Sequence, residues 1–134
     1  MYGSLDVSTS ALVAQRTRMH TVAANMANAN SIYDADGNYS PYQRRVAVFA
    51  PGDPARGSDA GVHVREILLD DAPFRRVHEP GHPEADEAGY VMYPNVDPMM
   101  EQVNALDASR AYEANITAAE ATKMMIRTSL KLLA

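Results

Sequence analysis

The chain contains no cysteine and no tryptophan, and only two of its 134 residues are phenylalanine. Without cysteine it cannot form a disulfide framework or a thiolate metal site. No apolar run approaches the roughly 18 residues that a membrane-spanning helix needs. The N-terminal stretch also lacks a basic region followed by an apolar core, so we expect no cleaved secretory signal. These absences favour a cytoplasmic protein, or one exported by a route that needs no cleaved signal.

The chain also has fewer basic than acidic residues, 12 against 17, and its net charge is −5. Nucleic-acid-binding proteins usually carry a basic stripe, so we expect no nucleic-acid partner. The length suits one modest domain. The apolar residues are segregated along the chain, however, which argues against a single compact core.

The first 30 residues predict a helix with a repeating apolar seam. Leu5, Leu12, Met19 and Met26 recur every seven residues, and Val22 begins a second seam three residues after Met19. A heptad repeat of this kind favours a coiled-coil-like contact between helices.

The end of this helix is unusual because residues 22–31, VAANMANANS, carry no charge. Solvated helix faces are usually charged. The predicted outer face would instead show small or uncharged side chains, which allow close approach and amide hydrogen bonds. We therefore expect an interface on several sides of the helix, with Asn25 and Asn28 bonded to neighbouring helices or to their own turn. The residues expected on the outer face are His20, Thr21, Ala24, Asn25 and Asn28.

The middle of the chain, residues 31–96, has a different composition. Every proline except Pro98 lies here, together with most of the glycines. Stretches such as DADGNYSPY and APGDPARGSDAG are typical of turns. Short β-branched or aromatic runs between the turns predict strands. The four candidates are Arg44–Ala50, Gly61–Leu68, Phe74–Glu79 and Gly89–Tyr93.

The last segment predicts the strongest helix. Asp97 can cap it, and Pro98 suits the first helical position. Neither glycine nor proline follows before Leu133, and a helix of this length would reach roughly 55 Å. A stripe at helical spacing consists of Val103, Leu106, Arg110, Ala114, Thr117, Ala121, Met124, Thr128 and Leu132.

Together these segments predict an α+β fold, with long N- and C-terminal α-helices packed as a coiled-coil-like pair and a small β-rich region inserted between them. The expected segments are 1–30 for the first helix, 31–96 for the β-rich middle and its proline-rich return, and 97–134 for the second helix. Taken together, the stripes hold methionine, alanine and threonine at many positions where a stable monomer would hold leucine and isoleucine. Because isolated helices gain most of their stability from tertiary packing, we expect these helices to need further partners.

The same residues resemble a known family. Bacterial flagellar axial proteins, the rod and hook group, begin with Ser-Ala-Leu, then Gln, then Ala-Asn-x-x-Ala-Asn. Residues 79–116 are similar to basal-body rod subunits, and their most specific words are PNVD and SRAYEAN, followed by TKMM. Residues 31–45 depart most, since the turn there is longer than usual. The matching N-terminal residues are Ser10, Ala11, Leu12, Gln15, Ala24, Asn25, Ala27 and Asn28.

This resemblance implies a structural subunit of the proximal rod of the bacterial flagellar basal body. Such subunits polymerise through their terminal helices into a hollow, torque-transmitting shaft, a homo- and hetero-oligomeric helical assembly. The resemblance implies export through the flagellar type III apparatus without a cleaved signal, and a periplasmic location. The implied partners are other proximal and distal rod proteins and the base of the rod at the membrane ring. No catalytic residue, cofactor or metal is implied.

From the stripes and the resembling segments we expect a helix-packing and assembly interface. Arg110 falls on the second stripe, so we expect it to meet a carboxylate across a helix interface. The interface residues are Leu5, Leu12, Met19, Val22, Asn25, Met26, Asn28, Val103, Leu106, Arg110, Tyr112, Asn115, Thr117, Met124 and Leu132.

Other sequence features carry weaker signals. His78 and His82 do not predict a metal site, because Pro80 and Gly81 prevent one regular helix from presenting both rings. Residues 34–38, DADGN, resemble part of a calcium loop, but the glycine falls at the fourth position rather than the sixth. A polar turn is the better interpretation. The arginine pairs at 44–45 and 75–76 are expected to face solvent or a neighbouring subunit.

Two other functions remain open. A cytoplasmic coiled-coil adaptor or scaffold protein would have the same pair of helices, and it would bind a soluble partner instead of polymerising lengthwise. An enzyme is disfavoured, because no cluster of nucleophile, base and orienting group can be assembled from the sequence.

Overall fold

The structure, a computed structural model, describes residues 2–133 as two long terminal helices with short strands between them. Helix α1 is Tyr2–Ala27 and helix α2 is Pro98–Leu133. The predicted α+β fold is confirmed. The strands are β1 at Arg45–Asp53, β2 at Ser58–Leu69, β3 at Arg75–His78 and β4 at Tyr90–Tyr93.

The helix ends follow local chemistry. Asp97 Oδ1 accepts the Met99 backbone N–H at 2.9 Å, so the predicted cap of α2 is present. Helix α1 ends at Ala27, three residues before the predicted end. There the Asn28 side chain donates to the carbonyl oxygen of Ala24 at 2.9 Å. Asparagine side chains compete with the helical backbone in this way, and residues 28–30 form a turn.

The two helices pack against each other in antiparallel fashion. Asn25 near the end of α1 contacts Glu101 near the start of α2, while Ser4 lines a cleft with Met125. Helix α2 has 36 residues and α1 has 26, so the last turns of α2 extend beyond α1. Neither helix combines the length and the apolarity that crossing a membrane requires, over the residues searched.

The side of α2 that faces α1 is made of small and polar residues. The least exposed positions recur at alternating three- and four-residue steps, as in a coiled coil. Helix α1 is the one named element that α2 contacts within residues 2–133. The predicted stripe of α2 lies on the opposite, exposed side, because small side chains let the helices approach more closely than leucine and methionine would. The inward positions are Ala105, Ala108, Tyr112, Asn115, Ala119, Thr122, Ile126 and Ser129.

Strands β1 and β2 form an antiparallel hairpin that packs on α1. Its register begins at Arg45 opposite Leu69 and contains two irregularities. Where β2 crosses α1, Ser10 Oγ accepts the Val62 N–H at 3.1 Å. Gly61, with φ of 102°, lies beside it, and an added Cβ would meet Ser10 Oγ at 2.6 Å. Glycine is therefore required where the hairpin crosses the helix.

Strands β3 and β4 form a second, smaller hairpin. Its arginines stack on tyrosines of the other strand, with Arg76 4.4 Å from the Tyr90 ring centre and Arg75 5.5 Å from that of Tyr93. The Tyr39 hydroxyl, from the loop after α1, accepts the backbone N–H of β4 at residue 92 at 2.8 Å. This loop therefore fastens the small hairpin to the end of α1.

Candidate assembly site

The ends of several elements meet at a cluster of polar side chains, which we call the polar joint. It consists of Asn25 near the end of α1, Arg44 directly before β1, Asp70 directly after β2, and Asn95 and Glu101 around the start of α2. Its hydrogen bonds connect residues as many as 76 positions apart in the chain. The joint therefore fixes how the helix pair meets the first hairpin.

Asn25 is fully buried and uses its whole amide group. Its Nδ2 donates to the carbonyl oxygen of Arg45 at 2.8 Å and to Glu101 Oε2 at 3.1 Å. Its Oδ1 accepts the Arg45 backbone N–H at 2.9 Å and the Tyr42 hydroxyl at 3.0 Å. The amide thus satisfies both backbone groups of the first residue of β1, as a neighbouring strand would.

Glu101 is also fully buried, and Arg44 is its cationic partner. Arg44 Nε donates to Glu101 Oε1 at 2.6 Å, and Arg44 Nη1 donates to Asp70 Oδ2 at 3.0 Å. The Glu101 side chain is 1% exposed, whereas those of Arg44 and Asp70 are 23% and 29% exposed. A buried carboxylate without a partner is strongly destabilising, so the burial of Glu101 depends on Arg44 and Asn25.

Asn95 closes the other side of the joint. Its Oδ1 accepts the Arg44 backbone N–H at 2.8 Å, and its Nδ2 donates to the carbonyl oxygens of Asp70 and Ala72, each at 3.0 Å. The Asp70 N–H in turn donates to the carbonyl oxygen of Arg44 at 2.8 Å. Asn95 therefore ties the end of the first hairpin to the segment that leads into α2.

The joint shifts the pKa values of three of its groups. Burial opposes the charge of Arg44, but hydrogen bonds to Glu101 and Asp70 outweigh this effect and raise the pKa of Arg44. The Ala72 N–H and the Arg44 guanidinium lower the pKa of the Asp70 carboxyl below its ordinary value of 3.8. Burial raises the pKa of Tyr42 above 10.0. At neutral pH the ion pair is therefore intact and Tyr42 keeps its proton.

The second candidate surface is the exposed side of α2, which we call the apolar face. Its large members Val103, Leu106, Met124 and Leu132 are 48%, 51%, 70% and 83% exposed. All four belong to the predicted stripe, which lies on the exposed side of α2, although Met124 also lines the cleft beside Ser4 of α1. The other stripe residues, which are also exposed, are Arg110, Ala114, Thr117, Ala121 and Thr128.

The predicted interface residues of α1 are less exposed. Leu5, Leu12 and Met19 are half-buried, and Val22 is buried. Met26 is the exposed member of this seam. The α1 seam therefore already makes contacts within the subunit, unlike the stripe of α2.

The remaining predicted residues lie inside the subunit. Tyr112 and Asn115 are half-buried on the side of α2 that faces α1. Asn28 is half-buried and bonds within its own turn, as expected. Asn25 does bond to a neighbouring helix, as expected, but that helix is α2 of the same chain.

Two sequence predictions were wrong. Thr21 and Asn25 do not lie on an exposed face but are 7% and 0% exposed, because the first hairpin and α2 both pack on this side of α1. Arg44 is expected to face solvent or a neighbouring subunit, but it forms ion pairs with Glu101 and Asp70 of its own chain. Arg110, for which a carboxylate across a helix interface is expected, is exposed and forms no ion pair with any residue in the described range, so its expected partner stays a prediction for contacts between subunits.

Sequence analysis did not find Asp70, Asn95 or Glu101. Asn95 lies within the word PNVD, but no role could be assigned to it from the sequence. Glu101 lies in the first turn of α2, where favourable interaction with the helix dipole explains an acidic residue equally well. Single polar residues at element ends have no periodic pattern, and only the tertiary fold brings these three together.

Neither surface has the geometry of a metal centre. Within the described chain, no group of three or more potential ligand side chains could hold an ion. The DADGN segment forms the predicted polar turn, in which the Asp34 carboxylate accepts the N–H groups of Asp36 and Asn38 at 2.9 Å. The polar side chains of the joint are engaged with one another and with nearby backbone groups, which suits holding elements together.

Comparisons with known proteins match both ends of the chain. The family described as "Flagella basal body rod protein" matches residues 5–31, and that described as "Flagellar basal body rod FlgEFG protein C-terminal" matches residues 87–132. The first range covers most of α1, and the second covers β4 and nearly all of α2.

Relatives from distant bacteria align over nearly the whole chain. The Escherichia coli O6:H1 protein named flagellar basal-body rod protein FlgC is 40% identical, over 95% of this chain and 93% of that one. Proteins of the same name from Bacillus subtilis and Aquifex aeolicus are 38% and 42% identical. These alignments cover 98% and 92% of this chain, and 97% and 90% of the relatives. The chain therefore belongs to the FlgC family of flagellar basal-body rod proteins.

Proposed function

We propose that the protein is a structural subunit of the proximal rod of the flagellar basal body, which polymerises through its terminal helices into a hollow, torque-transmitting shaft. Relatives named as basal-body rod proteins, near 40% identity over most of the chain, support this function. We also propose that the subunit has no catalytic activity and needs no cofactor.

The observation that carries the proposal is the apolar face of α2. Leu106 and Met124 lie five turns apart on it and are 51% and 70% exposed, and Leu132 extends the same face to the end of the helix. Scattered exposed apolar residues are ordinary, but several large ones aligned on one side of a helix are typical of an interaction site. Since α2 already uses its small-residue side to pack on α1, this second side supports contact with other subunits.

Two segments of the chain would build the shaft. Residues 1–30 and 97–134 would pack with the corresponding helices of neighbouring subunits around the channel, and residues 31–96 would lie outside. The polar joint would hold the outer part at a fixed orientation to the helices. Torque could then pass between neighbours without the subunit bending at the joint.

The proposed location is the periplasmic part of the basal body, reached by type III export without a cleaved signal. The proposed partners are other proximal and distal rod proteins, the base of the rod at the membrane ring and, during export, the flagellar export apparatus. The family names support association with basal-body components in general.

Deletion and complementation would test this function. A strain without the chain should build no rod beyond the membrane ring and should not swim, and the restored chain should co-purify with isolated basal bodies. Motile cells in which the chain remains in the soluble cytoplasmic fraction would contradict the rod and favour the adaptor function.

A further inference from the structure

A small cavity with two arginines at its edge lies between α1, β1 and the start of α2; we call it the arginine socket. Arg18 and Val22 of α1 and Arg45, Val46 and Phe49 of β1 contribute to its lining, and its volume is about 280 Å³. Pockets for drug-sized ligands and cofactors occupy about 300–1,000 Å³. The socket is therefore at the lower end of that range and can also hold one protein side chain, with an apolar wall and a positively charged edge.

Two of the three arginines that line the socket have no acidic partner among the described residues. Arg44 also lines the cavity, but Glu101 and Asp70 already pair with it. Arg18 and Arg45 form no ion pair with any of residues 2–133. The Arg45 guanidinium lies 5.6 Å from the ring centre of Tyr42. Two unpaired guanidinium groups at one cavity are unusual in a chain of net charge −5. Guanidinium groups bind carboxylates in bidentate fashion.

Unpaired carboxylates lie on the exposed side of α2. Glu113 and Glu120 are exposed, seven residues apart, and form no ion pair in the described part of the chain. At 100° per residue they lie beside Leu106 and Met124, on the edge of the apolar face. Glu120 precedes Lys123 by three residues, the favourable order for an intrahelical pair. Glu113 could pair within the helix only in the reverse order, with the cation preceding the carboxylate. Of the two carboxylates, Glu113 is therefore the one less engaged within its own helix.

We infer that the arginine socket receives Glu113 of a second copy of this chain, whose apolar face then covers the outer side of α1 and β1. This inference rests on the proposed rod function and names the contact through which copies of the subunit join. Asn104 and Glu101, which line the socket, lie on the opposite side of α2 from Glu113. The contact therefore joins two different surfaces, and such heterologous contacts propagate into helical assemblies.

A charge exchange tests this contact in cells that build basal bodies. Arg45→Glu and Glu113→Arg should each lower incorporation of the chain into isolated basal bodies by about tenfold or more, because each places like charges together at the contact. A chain carrying both substitutions should recover most of the incorporation. Asp107→Arg is the matched control, since Asp107 is exposed on another side of α2 and should not restore the Arg45→Glu chain.

Folding and function are checked separately. Both exchanged side chains are exposed, so each purified variant should unfold within about 1 kcal/mol of the unchanged chain, the loss for Arg45→Glu coming from its contact with Tyr42. Arg18→Gln offers a second, milder variant with the same expected direction. Normal incorporation of both single variants would overturn the inference. Loss without recovery in the double variant would also overturn it and would assign the socket to another basal-body protein. Absence of the unchanged chain from basal bodies would instead contradict the proposed function.

Discussion

At the scale of single residues, the subunit depends on polar groups where most domains use apolar ones. Glu101 is the largest fully buried side chain of the described residues, and Asn25 is another of this small set. Glu101 accepts hydrogen bonds from Arg44 and Asn25, and Asn25 bonds both backbone groups of Arg45. Removing one partner of such a network leaves another polar group buried and unpaired, which costs more than the bond itself contributes.

Asn25→Leu should therefore destabilise the free subunit, and not only its assembly. The substitution leaves both backbone groups of Arg45 without their partner and removes one donor to Glu101. We expect the free energy of unfolding to fall by about 2–4 kcal/mol in urea denaturation of the purified chain. Asn28→Ala, which removes only bonds within one turn, should cost about 1 kcal/mol or less. Equal losses of unfolding free energy for the two variants would show that the polar joint contributes no more stability than hydrogen bonds within one turn.

Asp70 should make the subunit sensitive to acid. Its pKa is lowered in the folded state, by the Ala72 N–H first and by Arg44 next. Its contribution is therefore fully present above the ordinary carboxyl value of 3.8 and is lost as the pH falls through the lowered folded value. Asp70→Asn should flatten the decline of stability with falling pH below about 4, measured by urea unfolding at a series of pH values. An unchanged pH profile would exclude Asp70 as the titrating group.

At the scale of helices and strands, local chemistry predicted what each segment is, but not which side of α2 faces inward. Asp97 and Pro98 marked the start of α2, and alternation and turn residues located all four strands to within a few residues. The large apolar residues of α2 were assigned to the packed stripe, since burial of large side chains is the usual driving force. The structure instead places Ala108 and Asn115 toward α1.

The inward side did leave a sequence signal, a seven-residue recurrence from Ala105 through Tyr112 and Ala119 to Ile126. This recurrence is weak as a sequence signal, because two of its four members are alanine, which occurs on buried and exposed helix faces alike. The polar joint could not be predicted in the same way, because Asp70 and Glu101 belong to no repeat. Their meeting depends on how the first hairpin returns to the helices.

Opposite sides of α2 should respond differently to substitution. Leu106→Asp places a charge on the exposed side, so the free subunit should unfold within about 0.5 kcal/mol of the unchanged chain. In the rod the same charge would be buried without a partner, and basal-body incorporation and swimming should be lost. Ala108→Leu, at a fully buried position, should destabilise the free subunit by about 1–3 kcal/mol through overpacking.

The urea unfolding curves and a soft-agar swimming assay together check this pair of variants. A swimming Leu106→Asp strain would show that the apolar face is not used in assembly. A loss of stability as large as that of Ala108→Leu would show that Leu106 packs within the subunit.

At the scale of the whole molecule, the apolar residues are divided between the inside of the subunit and the outside of α2. Its buried apolar residues are small or medium in size, while leucines and methionines line the outside of α2. Within residues 2–133, no helix lies beside the last turns of α2, and Leu132 and Leu133 there are 83% and 86% exposed. Such a molecule leaves much of its hydrophobic stabilisation to be gained on assembly, and this is the central claim of the account.

Site-specific thiol labelling tests that claim most directly, and the chain has no cysteine of its own to interfere. Leu106→Cys and Met124→Cys place one thiol each on the apolar face, and Glu87→Cys places a control thiol at an exposed position of the middle region. All three should react rapidly with a maleimide in the free subunit. In isolated basal bodies the two apolar-face thiols should be protected while the control thiol still reacts. Equal reactivity of all three thiols in assembled rods would contradict the account.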